Sequence, residues 1–269
     1  MLAAPRRLYP IHRSMIKILV TNDDGVHSEG IHALAEALAR LGEVTVVAPH
    51  IEASAIGHAL TLRRPLRMTR LRERVYDVDG TPTDCVNIAM TQLYKGKPDL
   101  VVSGINKGYN LGDDVTYSGT VSGAFEGCLL GVASIAVSLE RTVGAYDFSH
   151  AAAAATALAE AVLERGLPVQ TFLNINVPTG VPRGTRVTVQ GKRNHVTVVA
   201  ERIDPRGQAY YWIEEGENHW ESHDRSDFEA VRDGYVSVTP LQPDLTAHEA
   251  LASVEALKDL AMKAGVEVE

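Results

Sequence analysis

Apolar residues along this chain occur in two alternating patterns, short continuous runs and stretches with helical spacing. The run Ile16–Thr21 is nearly all apolar and rich in β-branched residues, which predicts a strand covered on both faces. Between Ile31 and Leu41 the apolar residues recur every three or four positions and stop at Gly42, which predicts an amphipathic helix. Val44–Ala48 then predicts a second buried strand. A strand, a helix and a strand in this order are typical of a βαβ unit.

The same alternation continues toward residue 177. It predicts three more strands, at Asp99–Ser103, Val132–Ser138 and Phe172–Val177. It also predicts two more helices, at Thr120–Leu130 and His150–Arg165, the second with Ser149 as its N-cap. Strands that alternate with helices indicate an α/β fold with a Rossmann-like, doubly wound, mostly parallel sheet. We therefore expect residues 15–180 to form a catalytic core whose ligand site lies at the carboxyl ends of the strands.

The pattern changes after Pro178. Polar and apolar residues alternate at Arg186–Val189 and Gln208–Ile213 among many turn residues, which predicts an antiparallel β extension. A C-terminal helix is expected at Ala247–Ala264, with an apolar stripe that must pack on the core or on a second subunit. We therefore divide the chain into an N-terminal extension (1–14), the core (15–180), and a β extension with a C-terminal helix (181–269) that takes part in oligomerisation.

Composition and charge narrow the functional classes. Hydrophobic residues make up 45% and charged residues 22% of the 269, as in ordinary globular proteins. The formal net charge of −8 argues against a dedicated nucleic-acid binder. The most apolar stretch, Cys128–Leu139, is too short to span a bilayer, and arginines interrupt the N-terminal segment where a signal peptide needs apolar residues. We therefore expect a cytoplasmic protein with no membrane partner.

An arginine cluster lies between residues 63 and 74, where six arginines alternate with apolar residues. The spacing favours a solvated face of a strand. A patch that attracts polyanionic substrates is the alternative.

The loop after the first predicted strand carries the strongest chemical signal, the sequence Asn22-Asp23-Asp24-Gly25. Two adjacent carboxylates at the end of a buried strand repel each other and lose hydration, an arrangement that a bound cation makes favourable. We therefore expect a metal site at Asp23 and Asp24. Capping of the following helix by Asp24 is the alternative.

Two further loops supply neutral oxygen atoms at the same edge of the predicted sheet. Ser54 follows the second strand, and Asn106 follows the strand Asp99–Ser103. Two carboxylates with hydroxyl and amide oxygens form a hard-oxygen site suited to one Mg²⁺ or Mn²⁺ ion. Taken singly, each of these two residues is equally compatible with an ordinary loop position.

A third loop, Ser118-Gly119-Thr120, directly precedes a predicted helix. Small residues at a helix N-terminus allow backbone N–H groups to approach an anion, so the loop is a candidate phosphate-binding site. Tight packing of the helix start is the alternative. The chain lacks the glycine motifs of dinucleotide-binding and P-loop proteins and the serine hydrolase elbow.

In this order, the motifs closely resemble those of the SurE family of survival-protein nucleotidases. The resemblance is carried by ILVTNDDG at Ile18–Gly25, GHALTL at Gly57–Leu62, GTPTDCV at Gly80–Val86, PDLVVSGINKG at Pro98–Gly108, YSGTV at Tyr117–Val121, LNINVP at Leu173–Pro178, DPRGQAYYW at Asp204–Trp212 and VSVTPL at Val236–Leu241. It implies a Rossmann-like, metal-dependent phosphatase of nucleoside 5′- and 3′-monophosphates that forms a homodimer or homotetramer, partly through exchanged C-terminal elements.

Carried over by position, the resemblance implies specific site residues. The metal ligands fall on Asp23, Asp24, Ser54 and Asn106, and the phosphate contacts on Ser118, Gly119 and Thr120. We also assign Asn22 to substrate binding, and Asp23, Asp24 and Asn106 to catalysis. His50 and Glu52 depart from the family, which often has Asp and Arg there, and this departure affects substrate preference rather than the metal ligands.

The expected reaction is hydrolysis of a nucleoside monophosphate by a metal-activated water, with short polyphosphate as a further substrate to test. Two alternatives stay open. One is a phosphatase that forms an aspartyl-phosphate intermediate, although the adjacent carboxylates do not match the usual Asp-x-Asp spacing of that chemistry. The other is a nucleotide sensor that binds without turnover.

Overall fold

A computed structural model describes residues 15–194, 197–215, 219–255 and 257. The predicted extension at 1–14 lies outside these residues. The strands are β1 (Lys17–Thr21), β2 (Glu43–Pro49), β3 (Met68–Arg72), β4 (Val75–Val78), β5 (Leu100–Lys107), β6 (Ala133–Leu139), β7 (Phe172–Val177), β8 (Thr185–Val187), β9 (Arg193–Asn194), β10 (Thr197–Ile203), β11 (Ala209–Glu215), β12 (His219–Trp220) and β13 (Val236–Leu241). The α-helices are α1 (Glu29–Leu38), α2 (Pro82–Gln92), α3 (Gly119–Leu129), α4 (Ser149–Arg165), α5 (Asp227–Arg232) and α6 (Leu251–Glu255).

Nine strands form the main sheet, in the order β3-β4-β2-β1-β5-β6-β7-β13-β8. The strands from β4 to β7 pair in parallel, while β3 and β13 run antiparallel to β4 and β7. The prediction of a doubly wound, mostly parallel sheet is confirmed. Because β2 is added on one side of β1 and β5 on the other, the order of strands reverses at the β1–β5 pair, which is where open α/β sheets bind ligands.

Helices cover both faces of this sheet. On β1, Ile18 and Val20 face one apolar cluster together with α1 and α4, while Leu19 faces a second cluster with α2. All three side chains are fully buried. This two-sided burial explains why the first strand is a continuous apolar run rather than an alternating one.

The region after residue 180 contributes to two kinds of sheet. Strands β8 and β13 extend the main sheet, so both sides of the predicted boundary at 180 share one sheet. Strands β10 and β11 form a separate antiparallel pair, and β11 overlaps the predicted segment Gln208–Ile213. The other predicted antiparallel segment, Arg186–Val189, overlaps β8, which instead pairs in parallel with β13. In the described part of the segment predicted as a C-terminal helix, Leu251, Val254 and Leu257 are exposed. The rest of that segment lies mostly outside the described residues.

Several elements differ from the sequence-based expectation. The segment 75–92 contains β4 and α2, which the periodicity did not indicate; Thr81 and Asp84 form a capping box with Pro82 in the first turn of α2. Helix α4 begins one residue earlier than expected, and Asp147 rather than Ser149 accepts the first backbone N–H.

The arginine-rich strand β3 is solvated, as predicted. No helix in the described part of the chain is long and apolar enough to cross a membrane.

Candidate active site

The candidate site lies at the carboxyl ends of β1 and β5. The loop after β1 carries Asp23 and Asp24, and the end of β5 carries Asn106. These strands are neighbours in the sheet, with Thr21 opposite Ser103. Residues distant in sequence therefore meet at the point where the order of strands in the sheet reverses.

Asp23 is buried against the first turn of α3. Its carboxylate accepts hydrogen bonds from the hydroxyl and the backbone N–H of Thr120. Gly119 allows this approach, because a Cβ there would stand 2.7 Å from Cβ of Asp23. Burial raises the pKa of Asp23 above its ordinary value, although the hydrogen bonds from Thr120 act in the opposite direction.

Asp24 is half-buried beside Asp23. Its carboxylate accepts a hydrogen bond from the backbone N–H of Lys107, yet its Oδ2 atom is buried without a hydrogen-bond partner among the described residues. Burial, followed by the negative charge of Asp23, raises the pKa of Asp24 to about 6. Ser28, not Asp24, caps α1, so the capping alternative for Asp24 is wrong.

Asn106 reaches the site through an irregularity in β5. The pairing of β5 with β6 shifts register between Ser103 and Asn106. Gly104 lies in this interval with φ +139°, and a Cβ there would stand 2.3 Å from the carbonyl oxygen of Val137. Such a bulge redirects the side chains that follow it. The Asn106 amide nitrogen donates to the carbonyl of Gly108 (2.9 Å), which leaves the amide oxygen as a ligand atom.

The loop after β2 brings Ser54 to the same place. The backbone N–H of Ala53 donates to the carbonyl of Asp23 (2.8 Å), and Gly57 donates to the carbonyl of Tyr117 (2.9 Å). These two bonds hold the loop against the β1 loop and against the segment before α3. The hydroxyl of Ser54 donates to the carboxylate of Glu52.

These loops enclose a cavity of about 710 Å³. Five of the predicted site residues line it, namely Asp23, Asp24, Ser54, Asn106 and Ser118. The other three do not. Gly119 and Thr120 lie behind Asp23, and Asn22 is fully buried, where its amide nitrogen donates to the carbonyl of Gly25 (3.0 Å) and to the hydroxyl of Ser28 (2.8 Å). In this structure these three residues support the β1 loop rather than border the cavity.

Ser118 occupies the N-cap position of α3. Its hydroxyl oxygen accepts the backbone N–H of Val121 (3.0 Å). Because this bond uses the oxygen as an acceptor, the hydroxyl hydrogen can still donate to a ligand in the cavity. The loop thus forms the start of the helix and also presents one polar group to the cavity. Packing of the helix start and binding of a phosphate, the two alternatives for this loop, are therefore compatible.

The cavity also contains charged residues that were not among the predicted site residues. Lys107 and Arg141 line it, together with Glu52 and Asp114. The ammonium of Lys107 lies 5.3 Å from the ring centroid of Tyr146, and Arg193 pairs with Asp114. Lys107 directly follows Asn106, so it could have been found from its position at the carboxyl end of β5. Arg141 sits in the turn after β6, where only the rule that ligands bind at strand ends would have suggested it.

The donor set of the cavity fits a divalent cation. Among the described residues, no three of the side chains His, Cys, Asp and Glu come together to hold a metal ion. The candidate ligands are instead two carboxylates with a hydroxyl and an amide oxygen, which are hard donors. The buried, unpartnered Oδ2 of Asp24 and the raised pKa of both carboxyls are features that a cation would relieve.

Comparison with known proteins identifies the family that this chain resembles. The family model for the survival protein SurE matches residues 18–197. The chain is 56% identical to the 5′-nucleotidase SurE of Syntrophotalea carbinolica over 230 residues, covering 85% of this chain and 92% of that protein. It is 52% identical to the 5′-nucleotidase SurE of Geobacter sulfurreducens, covering 89% and 93% of the two chains.

A solved structure matches equally far along the chain. The crystal structure of the SurE protein from Aquifex aeolicus superimposes with a TM-score of 0.81 at 46% identity, covering 90% of this chain and 99% of that one. The family model spans more than half of the sequence, and the similarity extends over nearly the whole length of these relatives. The chain therefore belongs to the SurE survival protein family.

Proposed function

We propose that this protein is a metal-dependent phosphatase that hydrolyses nucleoside 5′- and 3′-monophosphates. The relatives named above as 5′-nucleotidases support the 5′ activity. The observation that carries the proposal is one cavity lined by Asp23, Asp24, Ser54, Asn106 and Ser118, with a buried carboxylate oxygen that lacks a partner. This combination provides hard ligands and a polar wall for a phosphate group.

Asp23 and Asp24 would hold the cation, with Ser54 and Asn106 as neutral ligands. A Mg²⁺ or Mn²⁺ ion held there supplies Lewis-acid stabilisation of the phosphoryl group and acidifies a water molecule. Asp23 is fixed for this task by Thr120, and Asp24 by the backbone of Lys107. Because these contacts hold both carboxylates in place directly after β1, little reorganisation is needed when they bind.

The remaining groups act on the substrate. The hydroxyl of Ser118 donates to a phosphoryl oxygen from the N-terminus of α3, where the helix dipole favours negative charge. Lys107 and Arg141 attract the phosphate dianion from the cavity wall. In the reaction, a bond forms between phosphorus and the water oxygen, and the bond between phosphorus and the ribose oxygen breaks. One proton of the water ends on the ribose oxygen, so the products are the nucleoside and inorganic phosphate.

The charge of the cavity is consistent with this assignment. The carboxylates of Asp23, Asp24 and Glu52 face Lys107 and Arg141, and Lys107 is also paired with Glu29 (3.8 Å). The cavity therefore carries an excess of negative charge, which a divalent cation would offset. The cation would thus strengthen the attraction of a phosphate dianion.

Release of inorganic phosphate from nucleoside 5′- and 3′-monophosphates tests the proposal directly. We expect release by the wild type with Mn²⁺ or Mg²⁺, loss of activity with EDTA, and recovery when the cation is restored. Asp23→Asn and Asp24→Asn should each abolish release, whereas the exposed control Glu73→Gln should not. Binding of nucleotide without any phosphate release would indicate a sensor instead.

A rapid-quench experiment separates the two hydrolytic routes. The substrate carries a radioactive phosphate, and samples are denatured during turnover. If a water attacks phosphorus directly, no radioactivity should be found on the denatured protein. A stable covalent phosphoprotein would instead support the aspartyl-phosphate alternative.

A further inference from the structure

Glu52 occupies the cavity wall beside the two aspartates. It follows β2 in the loop that carries Ser54, and its carboxylate accepts the hydrogen bond from the Ser54 hydroxyl. Its negative charge also acts on both Asp23 and Asp24. The residue is thus linked to one candidate ligand by a hydrogen bond and to two others by charge.

The backbone keeps Glu52 in this position. Next to it, the N–H of Ala53 donates to the carbonyl of Asp23 (2.8 Å). A Cβ on Gly25 would stand 3.4 Å from the carbonyl carbon of Ile51 and 3.5 Å from the backbone nitrogen of Glu52. The loop after β2 therefore packs directly on the loop after β1, which places the exposed Glu52 at the border of the cavity.

The direction of the hydrogen bond determines what Ser54 can do. A serine hydroxyl has one hydrogen and two lone pairs. Because the hydrogen is directed to Glu52, the lone pairs of the Ser54 oxygen remain available to a cation. If the hydrogen pointed into the cavity instead, it would repel a cation.

We propose that Glu52 is a positioning residue that orients the Ser54 hydroxyl for cation binding and, through its charge, strengthens cation affinity at the expense of anion affinity. This inference rests on the proposed function, since it assigns Glu52 a role toward the same cation. The second effect follows because a third carboxylate attracts a divalent cation and repels a phosphate dianion.

Calorimetric titration of Mn²⁺ into metal-free protein, without substrate, tests the first effect. Glu52→Ala removes the acceptor and the charge, Glu52→Gln removes the charge alone, and the exposed Glu73→Ala is the matched control. We expect Glu52→Ala to raise the Kd for Mn²⁺ on the order of tenfold, as for other residues that orient metal ligands. Glu52→Gln should lose less, because its amide oxygen can still accept the Ser54 hydrogen bond.

Two results would overturn the assignment. If Glu52→Ala binds Mn²⁺ as tightly as the wild type, Glu52 has no role in cation binding. If Glu52→Gln and Glu52→Ala lose affinity equally, charge alone acts and the positioning role is wrong. Failure of the wild type to bind Mn²⁺ and to release phosphate would instead overturn the proposed function, and this assignment with it.

Product inhibition tests the second effect. Inorganic phosphate should inhibit release of p-nitrophenol from p-nitrophenyl phosphate more strongly in Glu52→Gln than in the wild type, at Mn²⁺ concentrations that saturate both proteins. Equal inhibition constants would show that the Glu52 charge does not reach the anion. Glu73→Gln should match the wild type.

Discussion

The hydroxyl of Thr120 donates a hydrogen bond to the carboxylate of Asp23, and both residues are buried. The sequence predicted instead that Thr120 contacts the phosphoryl group of the substrate. One hydroxyl hydrogen cannot serve both acceptors at once. In this structure Thr120 acts on Asp23, and a direct phosphate contact of its hydroxyl stays a prediction.

Substitution of Thr120 distinguishes these roles. Thr120→Val removes the hydroxyl's bond to Asp23 and keeps the backbone bond, so we expect the Kd for Mn²⁺ to rise on the order of tenfold and part of the lost rate to return at high Mn²⁺. Thr120→Ser keeps the hydroxyl and should retain most of the affinity. Calorimetry with Mn²⁺ and a titration of rate against Mn²⁺ provide the measurements.

Asn106→Ala is the matched comparison, because Asn106 is a candidate ligand itself. Its lost rate should also return in part at high Mn²⁺. If the metal rescues Asn106→Ala and not Thr120→Val, the phosphoryl role of Thr120 is correct. A loss of about 2.7–4 kcal/mol in transition-state stabilisation would then be typical for Thr120→Val.

The sequence was sufficient to predict the framework of the fold. Because β1 is buried on both faces, its apolar run is diagnostic of a central parallel strand. The order of strands and helices then places the loops after β1 and β5 at one edge, so Asp23, Asp24 and Asn106 could be grouped without coordinates.

The orientation of individual side chains could not be predicted in this way. Asn22 and Thr120 lie in the same motifs as the cavity residues, yet both point into the protein and hold the β1 loop. Arg141 follows a strand end but belongs to no motif that carried the resemblance. Which polar residue of a loop faces the cavity depends on its neighbours across the sheet, and those contacts are not encoded in local spacing.

Gly119 gives a prediction that depends on such a contact. A Cβ at this position would stand 2.7 Å from Cβ and 2.9 Å from Oδ2 of Asp23, so Gly119→Ala must displace the carboxylate. We expect a loss of stability of about 1–3 kcal/mol and a strong loss of phosphatase activity. Urea unfolding and phosphate release measure the two effects. Gly180→Ala is a suitable control, since no atom lies within 4 Å of a Cβ there. Its φ of +73° predicts some backbone strain and a modest loss of stability, but we expect no effect on activity.

Arg141 gives a prediction about substrate binding. Its exposed guanidinium lines the cavity without contributing to the core, so Arg141→Met should leave the melting temperature unchanged. The KM for nucleoside monophosphates should rise roughly tenfold or more, in line with the loss of a hydrogen bond to a charged group. The salt dependence of KM should also weaken, because one attractive charge is gone.

Arg70→Met on the solvated strand β3 is the control, since it removes an exposed arginine outside the cavity. An unchanged KM in Arg141→Met would show that the guanidinium does not contact the substrate. An equal rise in both variants would attribute the effect to the overall charge of the protein.

The last prediction concerns the pH dependence of stability and its reversal by a cation. The folded protein raises the pKa of Asp24 to about 6, above its ordinary value of 3.8. A group with a raised folded pKa binds its proton more tightly in the native state, so its contribution to stability is complete below the ordinary pKa and is lost as the pH rises through the folded pKa. In EDTA, Asp24→Asn should therefore melt close to the wild type at about pH 4 and above it at about pH 7, since the asparagine carries no charge to bury.

With saturating Mn²⁺ the order of the two melting temperatures at about pH 7 should reverse, because only the wild type gains the free energy of cation binding. Thermal melts of both proteins from about pH 4 to about pH 7, with EDTA and with Mn²⁺, measure these differences. A wild type that stays more stable than Asp24→Asn in EDTA at neutral pH would mean that the Asp24 carboxylate is stabilised by the protein alone, and the electrostatic argument for a cation at this site would fail.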